Sequence, residues 1–345
     1  KRVIIGSHLD TVFCGGKFDG IAGVITGLSI IKSLRDQECK LPFDLELYDY
    51  LGEELNDWSI SCIGSRGLTG QLTREILYRE NSNGELLINK ISEEGGQSEL
   101  LLQQKIGLND VIGCFELHIE QGSNLEYSGT EIGIVQSIPF ISRHKIEVKG
   151  EAGHSGTSPM NNRKDALAIA AELILLIHKT AKDIAVNSNR HFVATVGKIN
   201  VKPNSATIIP SDVEMLVDLR AASARDRQNF LDIITEKISE LNSQERGPVL
   251  FEQKAFSPSV NMDNKLNSVV YEATKKLKLT SLQMDSGAGH DSAHLAKLVP
   301  ACLIFIPCLH GKSHCPQEFA KTEDIIKGAK VIEAAVIKLK DASMY

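Results

Sequence analysis

The chain contains no C-x-x-C pair, no run of basic residues, no apolar stretch long enough to cross a bilayer, no repeat of fixed period and no low-complexity tract. Each absence removes a class of protein. Its seven cysteines (Cys14, Cys39, Cys62, Cys114, Cys302, Cys308 and Cys315) are odd in number and sit mostly in strand-like or apolar contexts. Such usage fits free thiols in a reducing cytoplasm better than a disulfide framework. A formal net charge of −6 argues against a nucleic-acid footprint and leaves small molecules or proteins as partners. The most apolar long segment, Ala166 to Ile177, is too short for a membrane span and is interrupted by Glu172. No secretory signal is visible. The chain opens inside a strand without an initiator methionine, so part of a natural N-terminus is expected to be missing.

What is present is enough apolar residue, 42% of 345, to fill two cores. Lys1 to Ile5 reads as a buried parallel strand, and it delivers Gly6-Ser-His-Leu-Asp-Thr-Val-Phe-Cys-Gly-Gly-Lys-Phe-Asp-Gly20 to its carboxyl end, where open α/β sheets keep their ligands. His8 and Asp19 could share a metal there. Asp10 suits a carboxylate that accepts the His8 N–H and fixes the tautomer of the ligating nitrogen. Read alone, the loop is equally a capping and turn cluster before a helix that starts near Ile21. Phe43 to Leu51 is the next strand, and strand, helix, strand implies a parallel sheet. Glu53 and Glu54 follow it at the same sheet edge, where the plain alternative is a solvated acidic turn. A polar segment, Leu72 to Glu99, is expected to wrap the surface. The strand Val111 to Ile119 then brings His118 to a strand end, although a lone strand histidine is more often a hydrogen-bonded core residue than a ligand.

From about Ser137 the pattern changes to strand (Ile138 to Lys149), helix (Asp165 to Asp183), two strands (His191 to Val201 and Ala206 to Leu219), helix (Ala224 to Leu241) and strand (Val249 to Ala255). That order predicts a small α+β sandwich of ferredoxin-like type, inserted as residues 138–256 into a catalytic domain made of 1–137 and 257–345. After Pro258 the first pattern returns, with a helix over Leu266 to Leu277, a strand over Ala301 to Ile306, a loop carrying His310 and His314, and a closing amphipathic helix over Ile325 to Lys340. The fold class is α/β: a mixed, mainly parallel sheet with helices on both faces, plus the inserted domain.

The ordered series Gly-Ser-His8-Leu-Asp-Thr-Val, Gly-Gly-Lys-Phe-Asp19-Gly, Gly-Glu53-Glu54, Gly64-Ser-Arg66, His118-Ile-Glu-Gln-Gly, Gly153-His154-Ser-Gly-Thr-Ser-Pro-Met160, Val217-Asp-Leu-Arg220, Ser286-Gly-Ala-Gly-His-Asp291 and Gly311-Lys-Ser-His314 resembles the hydantoinase/carbamoylase amidase family. That group comprises N-carbamoyl-L-amino acid hydrolases, β-ureidopropionases and allantoate amidohydrolases, within the dinuclear zinc aminoacylase and exopeptidase superfamily. The resemblance implies two divalent ions per chain, with His8 and His118 as terminal ligands of different metals, Asp19 bridging, and Glu54 and His314 completing the set. Three imidazoles and two carboxylates suit Zn²⁺, with Mn²⁺, Co²⁺ or Ni²⁺ as substitutes. Two ions about 3.5 to 4 Å apart make hydroxide available near neutral pH. Glu53 is then the general base, His154 the donor to the oxyanion and Arg220 the fork for a substrate carboxylate. Gln121 is an amide contact, and Gly287 and Gly289 let backbone N–H groups approach an anion.

His290, His294 and His310 are left to structural roles or to supporting the ligands from behind. Where family members often carry Asn, this chain has Thr207, so the contact to the substrate's carboxylate or ureido group must differ. The stretch Glu53 to Trp58 also departs from the family pattern.

The implied reaction is hydrolysis of the linear C–N bond of an N-carbamoyl amino acid or a related ureido acid such as allantoate, releasing ammonia and carbon dioxide. The implied setting is a cytoplasmic homodimer joined through the inserted lid/dimerisation domain, with no nucleic-acid or membrane partner. An aminoacylase or dipeptidase of the same superfamily, and a non-catalytic metal-dependent binding protein, are the competing readings.

Overall fold

The computed structural model describes residues 1–102, 107–244 and 246–341. The chain divides into two compact units, Lys1–Ile138 with Val260–Tyr345, and Pro139–Ser259.

The first unit is built on strands β1 (Arg2–Ser7), β2 (Asp44–Asp49), β3 (Val111–Ile119) and β4 (Ile132–Ile138). The second unit contributes β5 (Phe140–Lys149), β6 (Phe192–Lys202), β7 (Asp212–Ala221) and β8 (Val249–Ser257). The chain then returns to the first unit with β9 (Val260–Asn261), β10 (Ser281–Asp285) and β11 (Ala301–Ile306). The first sheet runs β10-β4-β11-β3-β1-β2, with β9 added along β4. The β1–β2, β1–β3, β3–β11 and β4–β10 pairs are parallel, whereas β4 is antiparallel to β11 and β9.

Alternation explains how the sheet is covered. Val3 and Ile5 pack with Phe115, Leu117 and Ile119 against the helices Ile21–Asp36, Asn264–Lys276 and Thr322–Asp341. Ile4 and Cys114 turn to the other face, against Leu68, Leu295 and Ala296. Side chains two apart along a strand share a face. Glu116 and His118 therefore lie on the Cys114 side, where the covering helices are short and leave room for polar groups.

The helix Ile21–Asp36 begins at Gly20, whose φ of 65° is left-handed. A Cβ there would also overlap the His8 ring, so glycine is required on both counts.

The segment expected to wrap the surface does more. Leu72, Leu77, Leu87 and Ile88 join Trp58 and Ile60 in a buried cluster of their own, carried on short helices including Arg74–Leu77 and Leu87–Glu93. Its apolar residues are too sparse in sequence to announce a core until Trp58 and Ile60 are brought to them.

In the second unit the order β6-β7-β5-β8, antiparallel throughout, with helices Ala166–Asn187 and Ala224–Ser243, is the ferredoxin-like arrangement. Asp165 caps the first helix by accepting the Leu167 and Ala168 N–H groups. One boundary differs from expectation: β7 starts at Asp212 rather than Ala206, so Thr207 lies in the preceding turn. There the Pro210 carbonyl accepts from Ala166 instead of joining a ladder. No helix among the described residues is long and apolar enough to cross a membrane.

Candidate metal centre

Parallel pairing sets the site. Ser7 lies opposite Asp49 in the β1–β2 register, and Ile306 opposite Ile119 in β3–β11. The loops that follow these strands therefore leave the sheet at one edge, carrying His8, Asp10 and Asp19, then Glu53 and Glu54, then Gln121, then Ser313 and His314.

Asp19, 3% exposed, is the meeting point. Its Oδ1 lies 2.8 Å from His118 Nε2 and 3.6 Å from His8 Nε2, and its Oδ2 lies 3.2 Å from His314 Nε2. Glu54 Oε1 is 3.4 Å from the same His314 nitrogen. Two donor triads result, His8–Asp19–His118 and Asp19–Glu54–His314. His8 and His118 face one carboxylate oxygen and fall in the same triad, where ligands of different metals are expected from the sequence. Strand order brings this about, because β1 and β3 are neighbours and their terminal histidines leave the sheet side by side, ring centroids 5.7 Å apart.

The ring nitrogens show that the site wants positive charge. His118 Nδ1 is 2.9 Å from the Ile119 carbonyl and His8 Nδ1 is 3.0 Å from that of Asp10. Both rings therefore donate through Nδ1 and turn the Nε2 lone pair toward Asp19. Two lone pairs 2.8 Å apart, as at His118, need a proton or a cation between them. The field agrees: burial disfavours a charged His8 ring, yet hydrogen bonding to Asp10 and Asp19 and the charge of Glu53 push it up to about 12. His118, also buried, is pushed up to about 8 by Asp19. The Asp19 carboxyl is held far below its usual range because His118, His314 and His8 outweigh its burial. Glu54 Oε1 is buried without a hydrogen-bond partner. A donor set of imidazole and carboxylate, with an orphaned oxygen and a field that draws protons onto its rings, fits divalent cations.

Asp10 clamps this edge. Its two carboxylate oxygens accept the Glu53 and Glu54 N–H groups at 3.1 and 3.0 Å, and Oδ1 stands 3.5 Å from His8 Nδ1. Burial raises the Asp10 pKa, but His8 and those N–H groups hold it below the usual carboxylate value. Glu53, 9% exposed, accepts the Cys62 thiol at Oε1 (3.3 Å) and points Oε2 to within 3.9 Å of His8 Nε2. Burial pushes the Glu53 carboxyl up to about 7, with His8 pulling it down and Glu54 pushing it up.

Gln121, with a left-handed φ of 58°, donates to Asp19 Oδ2 at 2.7 Å. Gly287 and Gly289 are half-buried in the loop after β10, where Ser286 Oγ accepts the Ala288 N–H at 3.0 Å.

In the second unit, His154 and the turn around Thr207 are joined: the Ser155 N–H donates to the Thr207 carbonyl at 3.0 Å and Ile209 to Gly153 at 2.8 Å. His154 is exposed, and its Nδ1 accepts the Gly156 N–H at 3.0 Å, which places the neutral ring's proton on Nε2. Arg220, on β7, donates from Nε to Asp218 at 2.9 Å.

Behind the site lies a buried acidic layer that no local motif announces. Glu116 Oε2 accepts from the Ser292 N–H (3.0 Å) and hydroxyl, and Asp291 Oδ1 from the Ser65 hydroxyl. Burial and the charges of Glu116 and Glu53 raise Asp291 well above the usual carboxylate range. Glu318, four residues past His314, lies beyond the histidine loop in sequence and nothing in its local pattern marks it out. His290 packs edge-on to His118 at 4.6 Å and bonds Ser286 Oγ at 3.0 Å, behind a candidate ligand.

Donor triads that share one buried carboxylate, with a further carboxylate beside them at the carboxyl edge of an α/β sheet, define a metal-dependent hydrolase. The chain belongs to Peptidase family M20/M25/M40, whose model matches residues 4–338. It is 34% identical over 339 residues to an N-carbamoyl-L-amino-acid amidohydrolase of a Pseudomonas species, covering 97% of this chain and 81% of that protein. It is 33% identical over 343 residues to a ureidoglycolate hydrolase of rice, covering 98% and 70%. A solved amidase of the hydantoinase/carbamoylase family from Burkholderia multivorans superposes with a TM-score of 0.88 at 29% identity, covering 99% of this chain and 81% of that one.

Proposed function

We propose that this protein hydrolyses the linear C–N bond of an N-carbamoyl amino acid or a close ureido acid, releasing ammonia and carbon dioxide, with two divalent ions held by the two triads, Zn²⁺ foremost and Mn²⁺, Co²⁺ or Ni²⁺ as substitutes. The observation that carries this reading is the pair of triads sharing Asp19 with Glu53 alongside, in a chain similar to amidohydrolases of ureido compounds. The ions supply Lewis acidity and lower the pKa of water toward about 7.

The protein's own groups do the rest. Glu53 takes a proton from the attacking water and hands it to the leaving nitrogen, its carboxylate aimed by the Cys62 thiol and its backbone by Asp10. His154, whose Nε2 carries the proton, donates to the developing oxyanion. Arg220 takes a substrate carboxylate, Gln121 and the Gly287–Gly289 backbone offer amide contacts, and Thr207, in the turn joined to His154, offers a hydroxyl to substrate. The unit Pro139–Ser259 is the lid and the dimerisation surface, and His154 serves the ions of a second copy. Edge strand β6, with Val193 and Ile199 exposed, offers that surface.

Ammonia release from a panel of N-carbamoyl-L-amino acids, N-carbamoyl-β-alanine and allantoate, measured after chelation and restoration of Zn²⁺, Mn²⁺, Co²⁺ or Ni²⁺, tests the reading. Turnover of N-acyl amino acids or dipeptides with none of the ureido compounds would make the protein an aminoacylase or dipeptidase instead.

A further inference from the structure

We infer that Glu318 is a positioning residue: resting on the reading that the triads hold divalent ions, it ties the Asp19 loop to the His314 loop and so sets the geometry of the carboxylate both triads share. Glu318 is 5% exposed. Its Oε1 accepts the backbone N–H groups of Phe18 (2.9 Å) and Asp19 (3.0 Å), and its Oε2 accepts the Ser313 hydroxyl at 2.8 Å. The same hydroxyl lies 3.0 Å from Asp19 Oδ2 and receives the Gln121 amide at 3.2 Å.

Glu318 thus holds Asp19 by its backbone N–H, while Glu318 Oε2 and Asp19 Oδ2 converge on the single Ser313 hydroxyl proton. Ser313 is also the residue before His314, which holds the left-handed φ of 57°. Each of these hydrogen bonds ends on a ligand-bearing loop rather than on the sheet. Gly16 belongs to the same construction, because a Cβ added there would fall on the Glu318 side chain. The glycine lets the carboxylate approach the loop backbone, where two consecutive N–H groups and a buried anion satisfy one another.

Residues that orient metal ligands from behind typically change metal affinity about 10- to 100-fold when removed. Glu318→Ala should weaken binding of at least one ion by that factor when the metal-stripped protein is titrated calorimetrically with Zn²⁺. Glu318→Gln keeps an oxygen that accepts both N–H groups, so its affinities should stay within a few-fold of wild type. Gly16→Ala should imitate Glu318→Ala in the wild-type background and add little to it, since the side chain it displaces is then gone. Wild-type affinity, within twofold, in both Glu318→Ala and Gly16→Ala would overturn the inference, as would a full Gly16→Ala effect in the Glu318→Ala background. If Glu318→Ala does not fold, Gly16→Ala and Glu318→Gln decide by the same criteria. A wild-type protein that takes up no divalent ion overturns the metal reading itself, an outcome distinct from variants that bind as wild type does.

Discussion

Replacing Glu53 by Gln separates chemistry from architecture at this site. The amide is nearly isosteric, and its carbonyl oxygen can take the place of Oε1 under the Cys62 thiol, leaving the NH₂ group where Oε2 faces His8. The backbone grip is unchanged, because Asp10 holds the Glu53 and Glu54 N–H groups and the Cys62 N–H donates to the Glu53 carbonyl at 2.8 Å. Neither triad includes Glu53, so both should still bind their ions. What is lost is a base. A positioned general base contributes about 10² to 10⁴ in rate, which corresponds to about 3 to 5 kcal/mol of barrier. The folded protein should not suffer, because burial already pushes this carboxyl up to about 7 and a neutral amide escapes that penalty. The assay pairs steady-state ammonia release with metal content and a thermal melt. The expected result is kcat down by two to four orders of magnitude, with ion content and melting temperature at least as high as wild type. A variant with near-normal kcat would show that Glu53 is only an acidic turn and that the base lies elsewhere. A variant that loses its ions would show that Glu53 is a ligand.

Metal analysis should find two ions per chain, and His8→Ala combined with His118→Ala should lose no more metal than either alone, because both serve one triad, whereas adding His314→Ala should remove the second ion. At most one ion per fully active chain would refute the dinuclear reading. Mixed dimers of Glu53→Gln and His154→Ala chains should regain activity, since one site then has both groups intact; verified heterodimers without recovery would confine His154 to its own chain. Burial, with the charges of Arg66 and Lys297, lowers His294 to about 3, below an unfolded value near 6.5. The unfolded chain therefore binds the extra proton, and stability complete above about pH 6.5 should fall by on the order of 1 kcal/mol per pH unit below it. Urea melts at pH 7.5 and 5.0 check this, and His294→Gln should flatten the slope.

The strands β1, β3 and β11 were legible because each is a short apolar run bounded by turn residues, and the long helices because their apolar residues recur at helical spacing. The strand β10, Ser281–Asp285, was not, since Ser-Leu-Gln-Met-Asp at a sheet edge lacks the burial that writes a pattern into sequence. Thr207 was assigned to a strand because Ala206 to Leu219 reads as one apolar stretch; the turn that precedes β7 is set by partners from Gly153 to Ala166, remote in sequence.

Local chemistry is legible in the sequence: the candidate donors His8, Asp19, Glu54, His118 and His314, and the adjacent Glu53, stand in short motifs after strands, each written by residues within a few positions of it. Which donors share a carboxylate oxygen depends on which strands are neighbours, and the β3-β1-β2 order set His8 beside His118. The same holds for Glu318, whose carboxylate is distinguished from any surface glutamate only by the Phe18 and Asp19 N–H groups 300 and 299 residues away. Periodicity carries burial and local hydrogen bonding, but the pairing of distant loops is decided by sheet order, which is a property of the folded core.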